Sequence, residues 1–177
     1  YQARLSAAKG DHARSAEMLR EAVAERATDA PLWRLLASQQ VELGRINEAI
    51  ASYRRALAIT ESDTVTIRGY VATLATQGRM SEALEEARRL KEFGERDPAF
   101  LDVYLRLEAT EGGPEGLSTA ISRRRQLMGE RPFDTVNKIE LASLYIENRS
   151  WKQAKDLLDQ IEADSGSSLA LVRARAR

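Results

Sequence analysis

Cysteine is absent from this 177-residue chain, and histidine occurs once, at His12. The first absence excludes disulfides and thiolate metal sites, and together the two exclude His-rich metal constellations and Ser-His or Cys-His nucleophile arrangements within the chain. A cysteine-free sequence suits cytoplasm and periplasm alike, so the compartment stays open. Only four prolines and ten glycines interrupt a sequence rich in Ala, Leu, Glu and Arg, which favours helix from end to end and makes strands improbable. Charge of one sign is also lacking: 27 basic and 27 acidic residues cancel. No net field exists to hold a polyanion, which argues against nucleic acid as a partner. No apolar run approaches the roughly 20 residues that span a bilayer, which argues against direct membrane insertion.

What is present is a period. Asp29, Asp63 and Asp97 stand 34 residues apart, Asp134 follows after 37, and Ser168 comes 34 later. All five residue types suit a helix N-cap, and Pro31 and Pro98 sit where the first helical turn tolerates a missing N–H. A second ladder, Gly10, Gly44, Gly78 and Gly112, again steps by 34, each glycine placed as the left-handed residue that closes a helix. Each repeat therefore holds two helices. His12, Ile46 and Met80 lie two residues past the glycines, and Leu117 and Trp151 continue them once three residues are inserted after Gly112. Ser15, Ala49, Ala83, Ala120 and Ala154 form a further ladder of small side chains that lets two helices approach closely.

The first helix of each pair carries Trp33, Ile67 and Leu101; then Leu36, Tyr70, Tyr104 and Leu141; then Ala37, Val71, Leu105 and Ala142, at the i, i+3, i+4 spacing of an amphipathic helix. A pair this short cannot bury its apolar face alone, so neighbours must stack around one elongated core. The segment from Ala30 to Asp63, with Trp33, Leu36, Ala37, Gly44, Ala49, Tyr53 and Ala56 in place, resembles the tetratricopeptide repeat family, and the resemblance covers most of the chain. It implies an all-α, right-handed solenoid of antiparallel helix pairs. The expected division is a single solenoid over 1–177, with repeats at about 1–29 (partial), 30–63, 64–97, 98–134 and 135–168 and the start of a further helix at 169–177. A chain that opens on Tyr1 and ends just after Leu169-Ala170-Leu171-Val172 is expected to be cut from something longer. The later repeats depart from the pattern: Lys138 stands where Trp33 does, Arg149 replaces the turn glycine, and Arg124 occupies the place of Tyr53.

Chemistry outside this framework is sparse. His12 falls on a packing ladder. Asp156, Asp159 and Glu162, interleaved with Lys152 and Lys155, form a solvated, ion-paired helix face. Gly112-Gly113-Pro114-Glu115-Gly116 lacks the Lys-Ser or Lys-Thr ending of a phosphate loop and is expected to be a lengthened turn. Arg123-Arg124-Arg125 has no interleaved aromatics and is expected to be a solvated face. Asn148-Arg149-Ser150 matches a glycosylation acceptor and is a chance match without secretion.

No convergent polar set is left for catalysis, so the chain is expected to be neither an enzyme nor the holder of a cofactor or metal. The resemblance implies that the first helices line a concave groove that binds a protein or peptide. The residues facing it would be Arg34, Ser38, Val41, Arg68, Ala72, Asp102, Arg106, Ile139 and Ser143. Relatives that grip a chaperone's C-terminal carboxylate use a Lys and Asn set, where this chain has Arg34, Ser38, Arg68 and Ala72, so that clamp is not expected. Arg34, Arg68 and Arg106 would instead form a basic track for an acidic peptide. The alternatives are a structural spacer, a segment that self-associates through open solenoid ends, or the non-catalytic part of a larger enzyme or export protein.

Overall fold

The computed structural model describes residues 2–165. These form ten helices: α1 (Gln2–Ala8), α2 (His12–Glu25), α3 (Ala30–Glu42), α4 (Ile46–Ile59), α5 (Thr64–Thr76), α6 (Met80–Gly94), α7 (Pro98–Glu111), α8 (Gly113–Glu130), α9 (Thr135–Glu147) and α10 (Trp151–Ser165). No strand occurs among the described residues. Ser168 and the further helix expected at 169–177 lie outside them. The chain forms two compact units, Tyr1–Tyr104 and Leu105–Arg177, divided within α7.

The helix starts follow the aspartate ladder. Asp29, Asp63, Asp97 and Asp134 precede α3, α5, α7 and α9, and each carboxylate accepts a backbone N–H of the first turn, from Leu32, Val65, Ala99 and Asn137. An exchange to alanine at such a cap costs about 1 kcal/mol. Small side chains then set the helix spacing, and the ladder from Ser15 to Ala154 is buried throughout. In the first unit Ala16, Leu19, Val23 and Leu36 form one apolar cluster. In the second, Leu141, Ala142, Leu157, Leu158 and Ile161 form another. The helix-start ladder packs less well: His12, Ile46, Met80 and Leu117 are half-buried. Trp151 is 62% exposed.

The turns inside the helix pairs are where the sequence expectation needs correcting. Gly10, Gly44 and Gly78 are left-handed, with φ of 78°, 70° and 74°. After each, the next N–H reaches back five residues, as Arg45 N does to Gln40 O at 2.8 Å, which satisfies an orphan carbonyl of the helix end. Gly112 does not take this role: its φ is −79°. Gly113 is the left-handed residue there, at 63°. The three extra residues do not lengthen the turn either. They lie inside α8, which runs to 18 residues where α2 and α4 have 14. Pro114 supplies the fixed φ that a first helical turn tolerates. Gly116 lets this extra turn sit against the end of α7, because a Cβ there would lie 2.2 Å from the carbonyl oxygen of Glu108.

Between α9 and α10 the same closing geometry is met without glycine. Arg149 has φ 56°, and Ser150 N still reaches Tyr145 O at 2.8 Å. A side chain in this region crowds its own carbonyl at a cost of about 1–2 kcal/mol. Arg149→Gly is therefore expected to raise unfolding stability by about 0.5–1 kcal/mol, the relief being partly offset by the freer unfolded chain. Urea titration checks this, and a loss of stability would show that the arginine side chain contributes more than its backbone costs.

Candidate functional site

On α3 and α5 the packing columns Leu36, Ala37, Tyr70 and Val71 are buried, and the positions beside them are not. Arg34, Ser38 and Val41 on α3, Arg68 and Ala72 on α5, and Asp102 in the first-unit part of α7 are each half-buried. They give the first unit a surface of small residues flanked by charge. In the second unit Arg106 is exposed, while Ile139 and Ser143 on α9 are half-buried. Ile139 packs against the Leu141 cluster.

The arginines of this surface are engaged within the chain. Arg68 Nη1 donates to Asp97 Oδ2 at 3.0 Å and Oδ1 at 3.4 Å. Arg34 Nε lies 3.5 Å from Asp63 Oδ2, too long for a good hydrogen bond. In both pairs the two residues are 29 apart, and in both the aspartate is the N-cap of the next first helix. One carboxylate thus satisfies a helix terminus and braces the preceding repeat. Asp63 also accepts from Thr66 Oγ1 at 2.6 Å. Exposed pairs of this kind contribute about 1 kcal/mol or less, the Asp97 pair more than most because its carboxylate is only 12% exposed. A basic track for a peptide would have to share its cations with these caps.

A second polar assembly, not foreseen from the sequence, lies on the second-helix side of the first unit. Arg54 on α4 donates from Nε to the Tyr70 hydroxyl at 2.8 Å and from Nη2 to Glu82 at 3.0 Å. Tyr70 in turn donates to Glu86 at 3.2 Å, and Arg89 bridges Glu86 and Glu61 at 2.8 and 3.2 Å. Arg79 donates to Glu82 at 2.8 Å. Burial pushes the Tyr70 phenol above its ordinary pKa despite the guanidinium beside it. The hydrogen bond to Tyr70 holds Arg54 more firmly protonated, and that to Glu86 does the same for Arg89. A cavity of about 460 Å³ borders this assembly.

In the second unit the arginine run is not a uniform solvated face. Arg124, in the place of Tyr53, is 4% exposed and donates to Asn137 Oδ1 at 3.3 Å, while Asn137 returns a bond to its carbonyl at 3.0 Å. Arg125 is exposed and Arg123 half-buried. Lys138, in the Trp33 column, is buried, with Nζ 3.0 Å from Asp164. Beside that pair opens a cavity of about 720 Å³. His12 faces Gln39 at 3.0 Å, a structural contact. Among the described residues no cluster of three or more His, Asp or Glu side chains could hold a metal ion, and no helix is long and apolar enough to cross a membrane.

No protein-family model matches this sequence, and no curated protein does. Solved structures do. YrrB, a tetratricopeptide repeat protein with an unusual peptide-binding site, superposes with a TM-score of 0.80 at 16% identity, over 99% of this chain and 89% of that one. MamA from Desulfovibrio magneticus RS-1 gives 0.72 at 15% identity over 93% of each chain. PilF of Pseudomonas aeruginosa gives 0.70 at 17% identity, covering 98% of this chain and 78% of that one. At these identities the likeness is one of fold.

Proposed function

We propose that this chain, an all-α repeat with the tetratricopeptide fold, is a protein-interaction scaffold whose first-helix face in the Tyr1–Tyr104 unit binds a peptide. The observation that carries the reading is the row of half-buried positions, Arg34, Ser38 and Val41 on α3 and Arg68, Ala72 and Asp102 on α5 and α7, standing beside fully packed columns. Small residues at Ser38 and Ala72 leave room for a partner's backbone or side chains. Arg34 and Arg68, already steered by Asp63 and Asp97, are held in place to meet an acidic side chain at little further entropic cost. The peptide-binding site of YrrB supports this use of the fold. The proposal is one of binding and assigns no catalytic step to this face. Arg106, Ile139 and Ser143 belong to the second unit and are proposed as a separate contact patch.

The test must leave the Arg–Asp braces intact, so charge reversal of the arginines is a poor choice. Peptides selected from a displayed random library on the wild-type chain should be rich in Asp and Glu. Ser38→Glu and Ala72→Glu should each weaken their binding about tenfold, with helicity unchanged by circular dichroism. Selected peptides that bind both variants as well as the wild type would place the contact elsewhere and overturn the reading.

A further inference from the structure

The cavity of the second unit has a counterpart in the first, which is lined by polar groups that the second lacks. Between the second and fourth repeats, and between the third and fifth, the register shifts by 71 residues, as Ala49 to Ala120 and Ala83 to Ala154. On that register Arg54 corresponds to Arg125, Leu57 to Met128 and Ala58 to Gly129. These are lining residues of the 460 Å³ cavity of the first unit and the 720 Å³ cavity of the second. The two cavities are one feature of the repeat, met twice.

In the first unit the chain satisfies the arginine itself. Arg54 has Tyr70 and Glu82, and Glu86 stands behind Tyr70. In the second unit Tyr70 becomes Leu141, Glu82 becomes Gln153, Glu86 becomes Leu157 and Glu61 becomes Pro132. All three carboxylates and the phenol are gone, while the arginine is kept. Arg125 forms no ion pair among the described residues. A second cation has been added: Lys138 stands where the first unit has the fully buried Ile67, and its partner Asp164 stands where the first unit has Phe93. Ser62 of the first unit becomes Phe133, 92% exposed at the cavity's edge.

We infer that this cavity is a second binding site, and that its occupant is an acidic peptide segment of a partner protein carrying a large apolar side chain next to a carboxylate. The carboxylate takes the place that Glu82 and Glu86 fill in the first unit, against Arg125 with Lys138 behind it, and the apolar side chain packs on Phe133 and Met128. The chain's own residues 166–177 bring Arg173, Arg175 and Arg177 and no acidic side chain, so they cannot supply the missing charge. The site is separate from the face of α3 and α5 proposed above, and either can fail without the other.

The experiment is a titration of the full ¹⁵N-labelled chain with the peptide acetyl-Asp-Glu-Trp-Glu-amide, and with its neutral counterpart acetyl-Asn-Gln-Trp-Gln-amide. The acidic peptide should shift the amides around Arg125, Phe133 and Lys138 and bind about tenfold more tightly than the neutral one. Arg125→Gln and Phe133→Ser should each weaken it about tenfold. Gln153→Glu, an exposed position, restores the internal carboxylate of the first unit and should weaken it comparably while the fold is unchanged. The inference is overturned by equal binding of the neutral peptide, by shifts confined to α3 and α5, by no shifts at all, or by full affinity in the Arg125→Gln variant.

Discussion

Gly116→Ala is expected to destabilise the protein by about 2 kcal/mol, against the usual stabilising effect of replacing a helical glycine. The added methyl would lie 2.2 Å from the carbonyl oxygen of Glu108 and 3.1 Å from its carbon. That neighbour is backbone and cannot swing aside, so α8 or the end of α7 must move. Gly129, on the same helix, is the control, since nothing lies within 4 Å of the Cβ it would gain. Gly129→Ala should therefore stabilise by roughly 0.5–1 kcal/mol through the reduced freedom of the unfolded chain. Denaturant titration of both variants reads opposite signs for one chemical change on one helix. If Gly116→Ala also stabilised the protein, the close approach of the extra turn to α7 would be wrong.

Tyr70→Ala is expected to cost about 3–5 kcal/mol, the range for deleting a large buried aromatic side chain. For a chain of this size that lowers the melting temperature by roughly 10 °C. Tyr70 is fully buried, and its ring centroid lies 6.4 Å from that of Tyr53. Its hydroxyl joins Arg54 to Glu86. Tyr70→Phe separates the two contributions: it keeps the ring and removes the bridge, and should cost about 1–2 kcal/mol. Equal losses in the two variants would assign the stability to the hydroxyl assembly and little to ring packing.

Much of the fold was legible because the interactions that set it are local or periodic. An N-cap aspartate bonds an N–H two or three residues ahead, so its ladder could be read directly, and Asp29, Asp63, Asp97 and Asp134 all cap. A closing glycine acts within one helix turn. The glycine cluster after Gly112 misled for a physical reason. Glycine signals both a turn and a close backbone approach, and the sequence does not say which; Gly116 serves the second purpose inside a helix. Pro114 at the start of α8 was the available clue. Arg124 and Lys138 could be seen to depart from their columns. Their partners Asn137 and Asp164 lie 13 and 26 residues away on other helices, where no short-range rule reaches.

The candidate surfaces were legible to different degrees. The half-buried positions of α3 and α5 follow from helical periodicity, and their occupancy by arginine was plain. That Asp63 and Asp97 would serve those arginines as well as their own helices was not, because the cap role already explained them. The cavity of the second unit was hidden for the opposite reason. It is defined by absences, Leu141, Gln153 and Leu157 where polar partners stood 71 residues earlier, and these count as absences only once the contacts of Arg54 in the first unit are known.

The doubly used aspartates bear on how such a chain changes length. Arg34 to Asp63 and Arg68 to Asp97 span the same 29 residues in a 34-residue repeat. If residues 35–68 were excised, Arg34 would face Asp97 at that same spacing. The junction would again bring an arginine to the carboxylate that caps the next first helix. Duplication of a 34-residue unit would keep the same spacing. The braces thus act as couplings of one type, one closed by a hydrogen bond and one by charge alone, at a spacing that the gain or loss of a whole repeat leaves unchanged. The three-residue insertion at α8 breaks that spacing, since Asp134 follows Asp97 by 37 residues.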